Sequence, residues 1–281
     1  MIKLKKLIIE GGNVKFANSF MNNKYIEPTL KKVLAQVGWK KLKYDIVGNT
    51  TKPYSGDIDL AIDSKHFLEL TKFNGETIWD DSTKYLNKKN LKYFQIFKGM
   101  RQISIIAPLI DNKGKHLNAV IDREGTVNNN EKGYVQVDFM IGNLDWMKNV
   151  MKSPDQSNYK MVYKQLFFAD ILGNLIFKTK DPEIKKKLQI DLRQGLQLVD
   201  FTEKNGKKNK IKIKVVSGDV NKLTRFLFGG KYTYSDSDSF EKVYKLFKSN
   251  DFKFPQLRNA IINTYKNTMA RLKLPLPKEI K

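Results

Sequence analysis

Two short stretches carry residues that could do chemistry together. In Ile46-Val-Gly-Asn-Thr-Thr-Lys-Pro-Tyr-Ser-Gly-Asp57-Ile-Asp59-Leu-Ala-Ile-Asp63, an apolar run ends in a Gly-Asn pair, and after a polar loop two carboxylates alternate with aliphatic residues. Successive side chains on a strand point to opposite faces, so Asp57 and Asp59 share one face while Ile58 and Leu60 turn toward a core. Two carboxylates held side by side in a half-buried sheet repel each other unless positive charge stands between them, and a divalent metal carrying a nucleotide meets that need. Downstream, Tyr134-Val-Gln-Val-Asp138-Phe-Met-Ile reads as a second strand with one carboxylate among apolar neighbours. Three acids on two strands below a glycine turn suit metal-assisted nucleotidyl transfer.

Gly48-Asn49, Asp57-Ile-Asp59 and Asp138 resemble the motifs of the polymerase β-like nucleotidyltransferase superfamily, over roughly residues 40 to 141. The resemblance implies two magnesium (or manganese) ions held by Asp57, Asp59 and Asp138. One ion would bind the triphosphate, and the other would activate an acceptor hydroxyl for attack on the α-phosphorus. Asp138 would also help remove the acceptor's proton. Gly48 would let the backbone approach the phosphates, with Asn49, Thr50 and Ser55 donating hydrogen bonds to them. Lys52 and Lys164 are the candidate cations for the triphosphate. Asp-x-Asp after an apolar strand also serves glycosyltransferases, but these require neither the glycine turn nor the third acid. Gly11-Gly12-Asn13 reads as an N-terminal turn, or else as a loop lying over the active site.

Composition narrows the classes further. The chain has 281 residues, of which 41% are hydrophobic, with 17 Phe, 12 Tyr and 3 Trp, enough for a globular protein of one large or two ordinary domains. With no cysteine, disulfides, thiolate metal sites and cysteine nucleophiles are excluded. With His66 and His116 as the only histidines, a multi-histidine zinc site is nearly excluded. No window approaches a membrane span, and the N-terminal apolar run is too short for a signal peptide. The expectation is an intracellular, cytoplasmic protein with no membrane partner.

Net charge is +23, distributed as +8 over residues 1–150 and +15 over residues 151–281. The shorter half carries nearly twice the charge, which points to a bound polyanion, nucleic acid in particular. Lys204-Asn-Gly-Lys-Lys-Asn-Lys-Ile-Lys-Ile-Lys214 is the densest basic run. It reads equally as a solvated ribbon or as a strand that tracks phosphates. Tyr, Phe and Lys interleave over Phe226 to Tyr234 and Phe240 to Phe254, as base-stacking residues or as ordinary core.

Elements must position these groups. Leu30, Val33, Leu34 and Val37 recur at helical spacing within Ile26 to Val37, which Gly38 stops; another helical stretch precedes it around Val14 to Met21. Strands are expected at Tyr44–Val47 and Asp57–Ile62. Ser64 and Asp80 or Asp81 serve as N-caps of two helices. A hairpin follows over Leu91–Phe97 and Gln102–Ile106, and then strands at Leu117–Ile121 and around Asp138. In the second half, helices are expected over Tyr159–Phe177, Asp181–Leu198, Val220–Phe228, Phe240–Phe247 and Pro255–Leu272. The reading is an α+β or mixed α/β protein. Residues 1–150 form a nucleotidyltransferase-like catalytic domain with a mixed sheet and flanking helices, and residues 151–281 a mainly helical, basic acceptor-binding domain.

The expected function is transfer of a nucleoside monophosphate from a nucleoside triphosphate to a hydroxyl, with an RNA 3′ end as acceptor. A toxin-like enzyme modifying protein or tRNA is the alternative enzyme. A non-catalytic nucleic-acid-binding or virion-associated protein on the same fold is the alternative outside enzymology. Acceptor, nucleotide, number of additions and oligomeric state are not encoded in these motifs.

Overall fold

The computed structural model describes residues 17–48, 54–89, 91, 93–122, 124–152, 154, 156–179, 181–204 and 207–280. The chain divides into two compact units, Met1–Leu144 and Asp145–Lys281.

The first unit contains β1 (Met21–Asn22), α1 (Ile26–Val37), β2 (Tyr44–Val47), β3 (Tyr54–Ser55), β4 (Asp57–Asp63), α2 (Ser64–Thr71), α3 (Ile78–Lys88), β5 (Phe94–Phe97), β6 (Gln102–Pro108), β7 (Val120–Ile121), β8 (Val127–Asn128) and β9 (Tyr134–Gly142). Its central sheet runs β2-β4-β9-β6-β5. β4 and β9 are parallel; the other neighbours are antiparallel. Alternation gives the sheet two unlike faces. Ile58, Leu60, Ile62, Ile103, Ile105, Val137, Phe139 and Ile141 point one way and join Leu30, Val33 and Val37 of α1, Phe67 of α2 and Ile78 and Leu86 of α3 in one hydrophobic cluster. The opposite face carries the polar side chains. α1 ends at Gly38, whose φ of +78° puts it in the left-handed region that closes helices at low cost.

Two helix starts lie a residue or more from their expected caps. Asp63 caps α2, accepting from the His66 amide at 2.9 Å, and α3 begins at Ile78, ahead of Asp80 and Asp81. The stretch expected as a helix over Val14–Met21 lies partly outside the described residues; residues 17–20 are not helical and Met21 opens β1. Gly11-Gly12-Asn13 lies outside the described residues.

The second unit has helices at four of the five expected places and a sheet at the fifth. It contains α5 (Met161–Gly173), β10 (Ile176–Lys178), β11 (Lys185–Asp191), β12 (Gly195–Lys204), β13 (Lys207–Ser217), α6 (Val220–Phe228), α7 (Phe240–Lys248) and α8 (Arg258–Leu272), after the short α4 (Leu144–Val150) that spans the division. Its strands form an antiparallel sheet in the order β10-β11-β12-β13. The expected helix over Asp181–Leu198 is instead β11 and the start of β12. Asp191 Oδ1 accepts from the amides of Arg193 and Gln194 at 2.9 and 3.0 Å and folds a turn. Gly195 follows at φ +119°, with the Ser217 carbonyl where a Cβ would stand. A helix cannot pass through that conformation, so strand pairing overrides the helical propensity of Lys, Gln and Leu.

Aromatic residues fill the rest of this unit's core. Phe167 meets Phe240, Phe247 and Tyr265 at centroid distances of 5.6, 5.1 and 5.1 Å. Phe228, Phe240, Phe247 and Phe252 are buried, so these four of the interleaved aromatics read as base-stacking candidates are core, while Phe226, Tyr232, Tyr234, Tyr244 and Phe254 are half-buried.

Candidate functional site

β4 and β9 lie side by side and parallel, with Asp59 opposite Asp138 and Asp57 opposite Gln136. Residues opposite each other across a pair share a face, so the alternation that separates Asp57 and Asp59 from Ile58 and Leu60 also puts Asp138 beside them. One carboxylate oxygen from each of Asp57, Asp59 and Asp138 lies within 4.8 Å of the others. Asp57 and Asp59 are half-buried and Asp138 is buried. Asp63, at the end of the same strand, is occupied in capping α2.

Gly48 closes the site from the side of β2. The register pairs Val47 with Asp59, so the chain leaves β2 directly beside that carboxylate. Gly48 takes φ +88°, and a Cβ there would stand 2.8 Å from Asp59 Oδ2. Both the backbone conformation and the contact call for glycine.

The polar face extends past the three acids. Gln136 donates through Nε2 to both oxygens of Asp138, at 2.8 and 2.9 Å. Ser104 of β6 is opposite Asp138 in register, and Gln102 Nε2 donates to Ser104 Oγ at 3.1 Å. Gln102, Ser104 and Gln136 are all buried. Gln136 is a site residue that motif reasoning passes over. Its signal is positional: two residues before Asp138 on a strand, it must share Asp138's face.

This donor set fits a hard cation. All three donors are carboxylate oxygens, the ligands of magnesium and manganese, with neither imidazole nor thiolate for zinc. Two oxygens on one magnesium are at most about 4.2 Å apart, twice the usual ~2.1 Å bond, so small side-chain rotations bring the three acids into range of a shared ion.

The remaining candidates separate into three groups. Ser55 lies on β3 next to the acids, and its hydroxyl donates to the Asp57 carbonyl at 2.8 Å; it braces the strand start. Asn49, Thr50 and Lys52 lie outside the described residues. Lys164 is on α5 of the second unit and only 1% exposed. Its ammonium donates to the carbonyls of Lys152 and Asp238 at 2.8 and 2.6 Å and to the Tyr234 hydroxyl at 2.6 Å. Those three partners use its three protons, and burial lowers its pKa to about 7 although Asp238 opposes the shift. This is an internal tie, not an exposed cation for a phosphate.

No protein-family model matches the chain, and no curated protein matches it.

Proposed function

We propose that the first unit is the catalytic part of a metal-dependent nucleotidyltransferase that moves a nucleoside monophosphate from a nucleoside triphosphate to a hydroxyl, with an RNA 3′ end as acceptor. The convergence of Asp57, Asp59 and Asp138 within 4.8 Å carries this reading. Three acids gathered on adjacent strands, backed by buried Gln and Ser, repel one another, and a divalent cation bound among them would offset that repulsion.

Asp57, Asp59 and Asp138 would hold magnesium or manganese, which when bound neutralises phosphate charge and acidifies an acceptor hydroxyl. The chain's own groups do the rest. Gly48 keeps the space beside Asp59 free of a side chain, so a polyphosphate can come close to the backbone. Gln136 fixes the orientation of Asp138. Asp138 takes the acceptor's proton as the new O–P bond forms and the bond to the leaving pyrophosphate breaks. The surplus of cations over residues 151–281 favours RNA over a protein acceptor, because each nucleotide of an RNA presents a phosphate.

The test is incubation with each labelled nucleoside triphosphate, magnesium and a mixture of total RNA and protein. The expected outcome is label on RNA, abolished by chelator and by Asp57→Ala, Asp59→Ala or Asp138→Ala in proteins that still fold. Label on protein would replace the acceptor. Absence of transfer from all four nucleotides, together with no manganese binding by calorimetry, would overturn the enzyme reading.

A further inference from the structure

The basic run that opens β13 does not present its lysines on one surface. In a regular strand Lys208, Lys210, Lys212 and Lys214 would all face the same way. The pairing of β12 with β13 shifts between Asp200 and Phe201: Phe201 is opposite Lys210 and Asp200 opposite Lys212, with Ile211 the extra residue. A bulge of one residue reverses the alternation beyond it. Lys208 and Lys210 therefore stand on the face of Glu203, Phe201 and Val199, while Lys212 and Lys214 stand on the face of Asp200 and Leu198.

β11 adds to the first of these faces, because Lys187 is opposite Val199 and Lys185 opposite Phe201. The Nζ atoms of Lys187 and Lys208 lie 5.6 and 5.3 Å from the centroid of the Phe201 ring, and Phe201 is fully buried. The ring thus draws two ammonium groups over one point. Lys210 Nζ donates to Gln189 Oε1 at 3.1 Å, a neutral partner. Glu203 on this face is engaged by Lys185 at 3.1 Å. Burial holds the Lys187 pKa below its ordinary value, and the neighbouring charges of Lys208 and Lys210 push it the same way. Farther along the same face Ile213 and Val215 are 49% and 44% exposed.

Lys185, Lys187, Lys208 and Lys210 of this face stand with Glu203, which is opposite Lys208 in register, and the positive surplus attracts anions. Strands two apart in a sheet are separated by about 10 Å, and residues two apart along a strand by about 7 Å. Lys187, Lys208 and Lys210 are therefore rooted across an area wider than one phosphate, which suits a chain of phosphates.

We propose that this face of the second unit's sheet is a nucleic-acid site, on which Lys187, Lys208 and Lys210 contact successive phosphodiesters and Ile213 and Val215 lie against sugars or bases. It supplies the RNA contact of the proposed function, yet the binding itself does not depend on the carboxylate site.

Two double variants remove equal charge from opposite faces of one strand: Lys208→Gln with Lys210→Gln, and Lys212→Gln with Lys214→Gln. Fluorescence anisotropy with a labelled oligoribonucleotide, and with its DNA counterpart, over a salt series is the assay. The first variant should weaken binding at least tenfold and flatten the log–log salt slope by about 1.4, at about 0.7 per single-strand phosphate contact. The second should change the slope by less than half as much. Asp59→Ala should bind as wild type, so loss of catalysis and loss of this site are distinguishable. Equal losses in the two variants, or none in either, would overturn the proposal. So would inorganic triphosphate or polyglutamate binding as tightly as the oligonucleotide with the same variant dependence. The DNA arm decides whether the sugar is read.

Discussion

Asp59 Oδ2 lies 2.8 Å from the point a Cβ on Gly48 would occupy, so the end of β2 and the Asp59 carboxylate on β4 are fitted to each other at atomic contact. Gly48→Ala should therefore act twice. The left-handed φ of +88° costs an alanine roughly 1–2 kcal/mol, and the methyl group must push Asp59 aside. We expect a loss of about 2 kcal/mol in urea unfolding and at least tenfold weaker manganese binding by calorimetry. Wild-type manganese affinity in this variant would show that the contact does not shape the site.

Gln136 is expected to matter without touching a ligand. Its amide donates to both Asp138 oxygens, and partners that orient a ligating carboxylate typically contribute 10–100-fold in metal affinity. Gln136→Ala should weaken manganese binding by about tenfold, whereas Asp138→Ala should eliminate it. If Gln136→Ala binds manganese like wild type, Asp138 is held by something else.

The second unit contains a pH-sensitive group. Burial raises the Asp170 carboxyl from 3.8 to about 6, against the opposing pull of its Thr268 hydrogen bond and the Arg271 charge, and its Oδ2 is buried without a hydrogen-bond partner. A raised folded-state pKa means that the folded chain holds the proton more tightly than the unfolded chain. Its stabilising contribution is complete below pH 3.8 and lost as pH rises through about 6. Asp170→Asn cannot ionise, so it should gain on the order of 1–2 kcal/mol over wild type at pH 8 and little at pH 4. Urea unfolding of both proteins at the two pH values checks this; parallel pH profiles would contradict it.

Much of the first unit was legible because its signals are local. Alternation around Asp57, Asp59 and Asp138 needs only a strand period, and the glycine after Val47 needs only its place at a strand end. The Ile26–Val37 helix with its Gly38 stop is equally local. The failures are cases in which a distant contact decides. Leu188, Leu196 and their lysine neighbours fit a helical period and a strand period alike, and only pairing with β12 and β13 separates the two. Lys164 carries the residue type of a phosphate ligand, but its carbonyl and Tyr234 partners come from segments distant in sequence. The bulge at Ile211 leaves no mark in the side-chain pattern, because it is a shift in backbone pairing.

A parallel neighbour cannot be reached by a tight turn. Between β4 and β9 the chain lays down α2, α3 and the β5–β6 hairpin before Asp138 can meet Asp59. Pairings of such sequence separation are slow to form, so we expect the three acids to meet late in folding. A divalent cation bound by the proposed site would favour only the finished register, and a faster last refolding phase in manganese than in chelator would reveal it. On the proposed function, the site would then act as a proofreader of its own assembly: a chain whose β9 has not docked in register would have nowhere to bind the ion.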